Sequence, residues 1–427
     1  MDKKRVVITG MGVVAPNGVG VENYFNNLLN GVSGIKHSEE MESLNLRCQV
    51  SGMPDVSQEY IESKLPRLLA NSLGNRGIVY ACLAALEAWE KAGLPIDDEL
   101  KENIGMVFGS GALGLDTSIG EIVSTIESGN SRRLGSRKIP QSMNSGAAAH
   151  INYLLGLGGP VLSNSSACIT GSEALLTGYD QIQLGKADIM LCGSTEGDGR
   201  YIWAGFDAMR VLCSDSNDSP ETASRPMSTN PTGFVPASGA GAIVIETLES
   251  ALERNATIYA EVLGGHQNSG GLRNGGTMTA PNSTAVVGCI QTAIKKAGVH
   301  AQEIDLINGH LTSTKGDVIE IQNWVTALGR KGSDFPYINT PKSMIGHCIA
   351  GAGSIELNAS ILQLYNQQIH ANLNTKSLNP IITDLIDSSK IVDQSQKVEL
   401  NTVIKANFGF GDLNCAVVLR KFEHGKD

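Results

Sequence analysis

Apolar positions along the chain fall into short unbroken runs rather than alternating with polar ones. Residues 5–10 (RVVITG), 104–110 (IGMVFGS), 187–194 (ADIMLCGS), 241–248 (GAIVIETL), 304–310 (IDLINGH) and 415–422 (CAVVLRKF) are such runs, rich in Val and Ile. Runs of this kind mark strands that are covered on both faces. Between them lie stretches with helical spacing of Ala, Leu and Ile, clearest at 77–93 (GIVYACLAALEAWEKAG) and 286–298 (VVGCIQTAIKKAG). Strands alternating with helices predict an α/β fold with largely buried sheets.

Both of those helices end in Lys-Ala-Gly, and each is followed about ten residues later by a strand and a polar loop. The repetition hints at an internal duplication. An acidic helix after the strand at 241–248 gives a division near 250–258, hence halves at 1–255 and 256–427. The polar stretch 214–233, broken by Pro220, Pro226 and Pro231, reads as a long surface loop.

Length supports two core-forming units, since 427 residues exceed what one core usually fills. Glycine is enriched, at 49 residues or about 11% against an ordinary value of roughly 7%. The formal net charge of -10 argues against nucleic-acid binding and against attraction to an anionic membrane. A local basic stretch, Arg132, Arg133, Arg137 and Lys138, is either a solvated loop or a patch for an acidic partner. Eight cysteines without a CxxC pair read as reduced intracellular thiols. The opening MDKKRVVITG passes from charged residues straight into a strand-like run, so no signal peptide is expected. No apolar run reaches the ~18 residues that span a bilayer. The expected compartment is the cytoplasm.

The chemistry gathers around Cys168. It sits where a strand end passes through small polar residues into a helix, in VLSNSSACITGSEALLTG (161–178). Amide N–H groups and the helix dipole at such a junction are expected to lower the thiol pKa and to serve as an oxyanion hole. A buried structural cysteine is the competing reading. Of the histidines, His37, His266, His300, His370 and His424 lie in polar or loop-like segments. His310 instead ends a strand and opens LTSTKGD, and His347 precedes a Gly-rich turn into a helix, with Lys342 and Glu356 nearby in sequence. The separations among Cys168, His310 and His347 match no zinc motif, and no metal is expected. GSGALG (109–114) follows a strand and no GxxxxGK[ST] loop occurs, so nucleotide binding is only a weak alternative. Phe408 and Phe410 in KANFGFGD (405–412) suggest either a hairpin packed by two aromatics or a loop that gates a pocket.

Five segments together resemble the β-ketoacyl-acyl-carrier-protein synthases of the elongating, decarboxylating type. They are VVITGMGVVAPNGVG (6–20), SSACITGSEAL (165–175), NGHLTSTKGD (308–317), PKSMIGHCIAGAGSIE (341–356) and NFGFGDLN (407–414), in family order across nearly the whole chain. The resemblance implies a thiolase fold, two similar α/β halves stacked as a five-layer αβαβα sandwich, normally a homodimer. It implies a ping-pong condensation in which Cys168 takes an acyl group and malonyl-acyl carrier protein loses CO2. By analogy His310 and His347 stabilise the enolate, and Lys342 orders them with Glu356. Thr312 and Thr314 bind the pantetheine arm, Phe410 gates the acyl pocket beside Phe408, and the Cys168 and Phe410 amides form the oxyanion hole. No cofactor is implied beyond the phosphopantetheine of the acyl carrier protein, which is the implied partner. A condensing enzyme of a specialised polyketide or aryl-polyene pathway is an alternative, and a non-catalytic chain-length partner a weaker one. The chain departs from the family pattern at Leu311, where a small residue is usual. It departs also in a one-residue-shorter loop after His310, at Asp412 in place of glycine, and at Asn230, Pro231 and Ser238.

Overall fold

Ten strands of one sheet follow the chain in two sets of five, as described by a computed structural model covering residues 3–423. The first set is β1 (Val6–Ala15), β2 (Ile104–Ser110), β3 (Val161–Leu162), β4 (Ile189–Glu196) and β5 (Gly239–Thr247). The second is β6 (Ala260–Ser269), β7 (Leu306–Asn308), β8 (Tyr337–Asn339), β9 (Thr402–Gly409) and β10 (Leu413–Arg420). A short eleventh strand, Gly18–Val19, only folds back on β1.

The spatial order is β8-β7-β9-β10-β6-β1-β5-β4-β2-β3. Read from the first strand of each set, the order is identical in both halves, and so are the strand directions. In each half the second strand is parallel to the third and fourth, and the remaining pairs are antiparallel. The halves join where β1 pairs antiparallel with β6 over Val6–Ile8.

Helices repeat as well. The first half has α1 (Arg76–Lys91), α2 (Gly146–Leu155) and α3 (Thr170–Gln183), and the second has α4 (Ser283–Ala297), α5 (Gly316–Leu328) and α6 (Ala352–Asn366). Asn75 caps α1 and Asn282 caps α4, each accepting backbone N–H bonds through its side chain. The glycines of the two Lys-Ala-Gly endings, Gly93 and Gly298, hold φ of +66° and +70°. Each lets the chain leave its helix in the left-handed conformation that side chains resist.

The α3 and α6 helices touch strands of both sets and each other, so they form the middle layer. The α1 helix lies on the far face of the first set, and α4 on the far face of the second. Three hydrophobic clusters fill the spaces, a central one around α3 and α6 and one under each outer layer. The β5 strand serves two of them: Ala240, Ala242 and Val244 face the outer cluster, while Ile243 and Ile245 face the central one. This explains its unbroken apolar run and gives the five-layer αβαβα sandwich expected from the resemblance.

The segment 214–233 is not a free surface loop. Ser216, Ala223, Ser224, Met227 and Ser228 are buried, and Met227 joins the outer core of the second half. Arg225 holds it together, pairing with Asp215 and donating from Nε to the Asn230 carbonyl at 2.7 Å. Its polar residues are mixed: Asp218, Glu221 and Thr229 are exposed, while Ser216, Ser224 and Ser228 are buried. His370 is likewise buried, with Nδ1 against the Ala371 carbonyl, while His424 lies outside the described residues. Among the described residues no helix is long and apolar enough to cross a membrane.

Candidate active site

The site forms where α3 and α6 begin. Each follows the third strand of its half, and the two cross at matching Gly-Ser pairs, Gly171-Ser172 and Gly353-Ser354. A Cβ on Gly353 would lie 2.6 Å from the Ser172 amide nitrogen, and one on Gly171 would run into the Ser354 amide. Only glycine permits this approach, and it brings the two preceding loops together. Cys168 Sγ and His347 Nε2 are thereby 3.2 Å apart.

Cys168 sits in a 3-10 turn, Ala167–Ile169, that runs into α3, after Ala167 at φ +49°. The thiol is buried, and burial pushes its pKa up to about 11. Lys342 and the backbone N–H groups of Phe410 and Cys168 pull the other way and do not prevail. The expectation of a lowered thiol pKa is thus corrected: desolvation outweighs the helix terminus, and Cys168 rests as a thiol. The same two amides face the sulfur, in the arrangement expected of an oxyanion hole. Gly409 makes this possible, since a Cβ there would lie 3.2 Å from the Cys168 nitrogen.

The histidine rings meet edge to face, centroids 5.3 Å apart. His347 Nδ1 accepts the Ile349 backbone N–H at 3.1 Å, so its proton is on Nε2, beside the sulfur. His310 Nδ1 lies 3.4 Å from Asn407 Nδ2. The Asn407 amide is oriented by its other contacts: Oδ1 accepts the Ser172 hydroxyl at 2.7 Å, and Nδ2 donates to Glu356 Oε2 at 3.0 Å. An N–H therefore faces His310 Nδ1, and His310 also carries its proton on Nε2. Burial, then Lys342, hold both imidazoles neutral: His347 is lowered to about 3 and His310 falls well below the usual range.

Behind the rings, Glu356 pairs through Oε1 with Lys342 and through Oε2 with Lys405, the latter at 2.7 Å. All three are buried. Burial alone would raise the Glu356 carboxyl, but the two ammonium groups overcome it and hold the acid at about 2. The convergence of Cys168, His310 and His347, with ligand atoms within 4.8 Å of one another, is invisible in their spacing. These residues make a metal-competent donor set, yet the ammonium groups behind the rings disfavour a dication there.

Two buried carboxylates shape the loop after His310. Glu320 accepts the backbone N–H groups of His310 and Leu311 at 2.7 and 2.8 Å, and Asp317 accepts that of Thr312 at 2.9 Å. They hold Leu311 at φ +26°, while its side chain packs into the outer core of the second half. The departure at Leu311 is thus accommodated by local strain against a fixed carboxylate. Asp412, at φ +63°, accepts the backbone N–H of Asn282 at 2.8 Å and of Leu272 at 3.1 Å. It ties segment 270–282 to the hairpin tip between β9 and β10. The Phe-Gly-Phe-Gly segment is therefore a β-hairpin, with Phe408 packed on His310 and Phe410 against Phe206.

Cys168, both histidines, Thr312, Thr314 and Phe410 line one cavity of about 610 Å³. The Thr312 and Thr314 hydroxyls are 3.1 Å apart. The structure thus brings together Cys168, His310, Lys342, His347, Glu356, Phe408, Phe410, Thr312 and Thr314. It adds Lys405, Asn407, Ser172, Asp317 and Glu320, which sequence reading missed. Lys405 alone left a visible signal, a lysine inside the apolar strand run VIKANFG (403–409).

Comparison with known proteins agrees with this architecture. The β-ketoacyl synthase N-terminal domain family matches residues 3–251, and the corresponding C-terminal domain family matches 259–376. A chloroplastic 3-oxoacyl-[acyl-carrier-protein] synthase I of Arabidopsis thaliana is 35% identical, covering 99% of this chain and 87% of that protein. A β-ketoacyl synthase structure from Burkholderia phymatum superposes with TM-score 0.88 at 29% identity, over 98% of this chain and all of that one. A ketosynthase solved in complex with its type II PKS acyl-carrier protein gives TM-score 0.87 at 28% identity, over 99% of this chain and all of that one.

Proposed function

The chain belongs to the β-ketoacyl synthase family, and we propose that it elongates a Cys168-bound acyl group with malonyl-acyl carrier protein. The observation that carries this reading is the pair of neutral imidazoles, each with Nδ1 occupied by an N–H donor and Nε2–H turned into the cavity beside Cys168.

In the first half-reaction, Cys168 Sγ attacks the acyl thioester, whose oxygen is received by the Cys168 and Phe410 amides. The carrier leaves as a thiol and takes the cysteine's proton. In the second, malonyl thioester binds with its carbonyl oxygen between the two Nε2–H groups. The bond to the carboxylate breaks, CO2 departs, and the electron pair forms an enolate on that oxygen. The enolate carbon then attacks the Cys168 thioester. The 3-oxoacyl product leaves on its carrier, and Cys168 departs as thiolate, to be protonated or acylated again. Thr312 and Thr314 hold the pantetheine arm, and Phe410 gates the acyl side. Imidazoles kept neutral remain hydrogen-bond donors through the working pH range, as enolate stabilisation requires. No metal or cofactor enters any step.

Intact-mass measurement with a panel of acyl thioesters tests the assignment. An acyl adduct is expected on the wild type and not on Cys168→Ser, with CO2 released from malonyl thioester. No adduct from any primer would overturn it.

A homodimer and an acyl carrier protein as partner belong to the same reading. Support comes from the open sheet edge at β3, where Val161 and Leu162 are exposed, and from exposed Arg132, Arg133 and Arg137. Native mass spectrometry with and without carrier protein checks both, and a monomer that ignores the carrier would refute them. The pathway is read as fatty-acid elongation. The type II PKS neighbour, together with the changes at Leu311 and Asp412, favours a specialised polyketide role as the second reading.

A further inference from the structure

Lys405 plays no part in the chemistry above, although it is a fully buried charge at the centre of the site. It extends from β9 on the face that also carries Asn407 and Gly409, because alternate residues of a strand share a face. Its ammonium donates to the Ala406 carbonyl at 2.6 Å and lies 3.4 Å from the carbonyls of Asn308 and Gly309. The ion pair with Glu356 Oε2 completes its shell. The charged and titratable groups around it are Glu356 on α6, Lys342 across that carboxylate, Glu320 on α5, Cys415 on β10 and the two histidines.

One ammonium suffices to neutralise Glu356, and Lys342 already occupies Oε1. Lys405 therefore adds surplus positive charge at that carboxylate, directly behind the rings. It also shares Oε2 with Asn407 Nδ2, the group that faces His310 Nδ1. Anchored on both oxygens, the carboxylate cannot rotate away, and the Asn407 amide keeps its orientation.

We infer that Lys405 is a positioning residue for decarboxylation: through Glu356 and Asn407 it fixes His310 as an Nε2–H donor, and it places surplus positive charge where the enolate develops. The inference rests on the condensation reading given above. Acyl transfer to Cys168 uses the backbone amides and does not pass through this chain of contacts, so the two half-reactions separate on mutation. Burial lowers the Lys405 ammonium to about 8 despite Glu356. The positive charge is thus present below that pH and lost above it.

The test measures CO2 release from malonyl thioester and acyl-adduct formation on the full-length wild type, Lys405→Met and Lys405→Arg, from about pH 6 to about pH 9. Lys405→Met is expected to lower kcat for decarboxylation by roughly tenfold or more at neutral pH, with KM and the acylation rate within about twofold. Wild-type decarboxylation declines as pH rises through about 8. The methionine variant lacks that limb, and the arginine variant recovers rate and moves the limb upward. Unchanged decarboxylation with the same limb in Lys405→Met overturns the inference, as does an equal loss of both half-reactions. Should Lys405→Met fail to fold, Asn407→Leu decides. It leaves the lysine–glutamate pair whole, and a selective loss of decarboxylation supports the relay, while a wild-type rate overturns it. Absence of decarboxylation in the wild type would instead sink the condensation reading.

Discussion

The loop from β3 into α3 and the loop from β8 into α6 hold the same place in the two halves, yet they carry different chemistry. The first presents one thiol under two backbone amides. The second presents Lys342 and His347, with Glu356 one turn into the helix. Strand order, pairing direction and the Gly-Ser crossing are kept in both, so the scaffold is duplicated while its contents have diverged. Cys168 and His347 come from separate chain segments, and a two-fold scaffold supplies two helix starts facing each other. The division of labour is sharpest in the electrostatics. Backbone N–H groups of Phe410 and Cys168 act on the thiol and Lys405 acts on the imidazoles, while Lys342 acts on both.

The crossing itself is the most sensitive point of the comparison. Gly171→Ala drives a methyl group into the Ser354 backbone, and a loss of about 3 kcal/mol or more in chemical denaturation is expected. Gly205→Ala, in the helix Arg200–Ala208 with open space around its Cβ, serves as control and gains up to about 1 kcal/mol. Equal effects at the two positions would mean that the crossing is not what holds the loops together.

Function separates the loops next. Cys168→Ala removes acyl-adduct formation while malonyl decarboxylation persists. His347→Ala keeps the adduct and slows decarboxylation by about 10²–10³-fold. Assays of the two half-reactions on both variants check this, and a parallel loss of both activities in either variant would show that the loops act as one unit.

The smallest effect is on acid stability. His347 is lowered to about 3 when folded, against an ordinary value of 6.5, so the unfolded chain binds the extra proton between these values. Stability from this residue is whole above about pH 6.5 and drains away as pH falls toward 3. Glu356, lowered from 4.5 to about 2, adds a second loss below about pH 4.5. Thermal melts from pH 7 to about pH 4 are expected to fall more steeply for the wild type than for His347→Asn, which cannot take up that proton. Identical slopes would remove His347 from the acid response.

Much of this was legible before any fold was seen. Unbroken Val/Ile runs gave the covered strands, since a strand buried on both faces has no polar side to alternate with. The repeated Lys-Ala-Gly ending pointed to duplication because each half needs a left-handed residue to leave its outer helix. Cys168, His310, Lys342, His347 and Glu356 stood out by residue type and by the small residues around them. Asn407 and Ser172 could not stand out, being common polar residues whose meaning comes only from burial beside a histidine and a carboxylate. The polar segment 214–233 misled for the complementary reason: its small polar side chains bond to other parts of the chain, as Ser224 does to the Lys342 carbonyl and Thr229 to those of Ser377 and Leu378. Nor did position at a helix start decide the thiol's protonation, because desolvation is set by the surrounding layers.

The sequence by itself determined the two-fold succession of strands and helices, the residues able to act as nucleophile and donors, and the glycines that permit close approach. Local pattern and side-chain chemistry suffice for these. Only the tertiary structure decided that Cys168 lies beside His347, 179 residues away in sequence. It alone decided that the thiol rests protonated, that both imidazoles present Nε2–H, and that one glutamate is shared by two lysines. Those outcomes depend on distances and dielectric surroundings created when the layers close, and no single segment contains them.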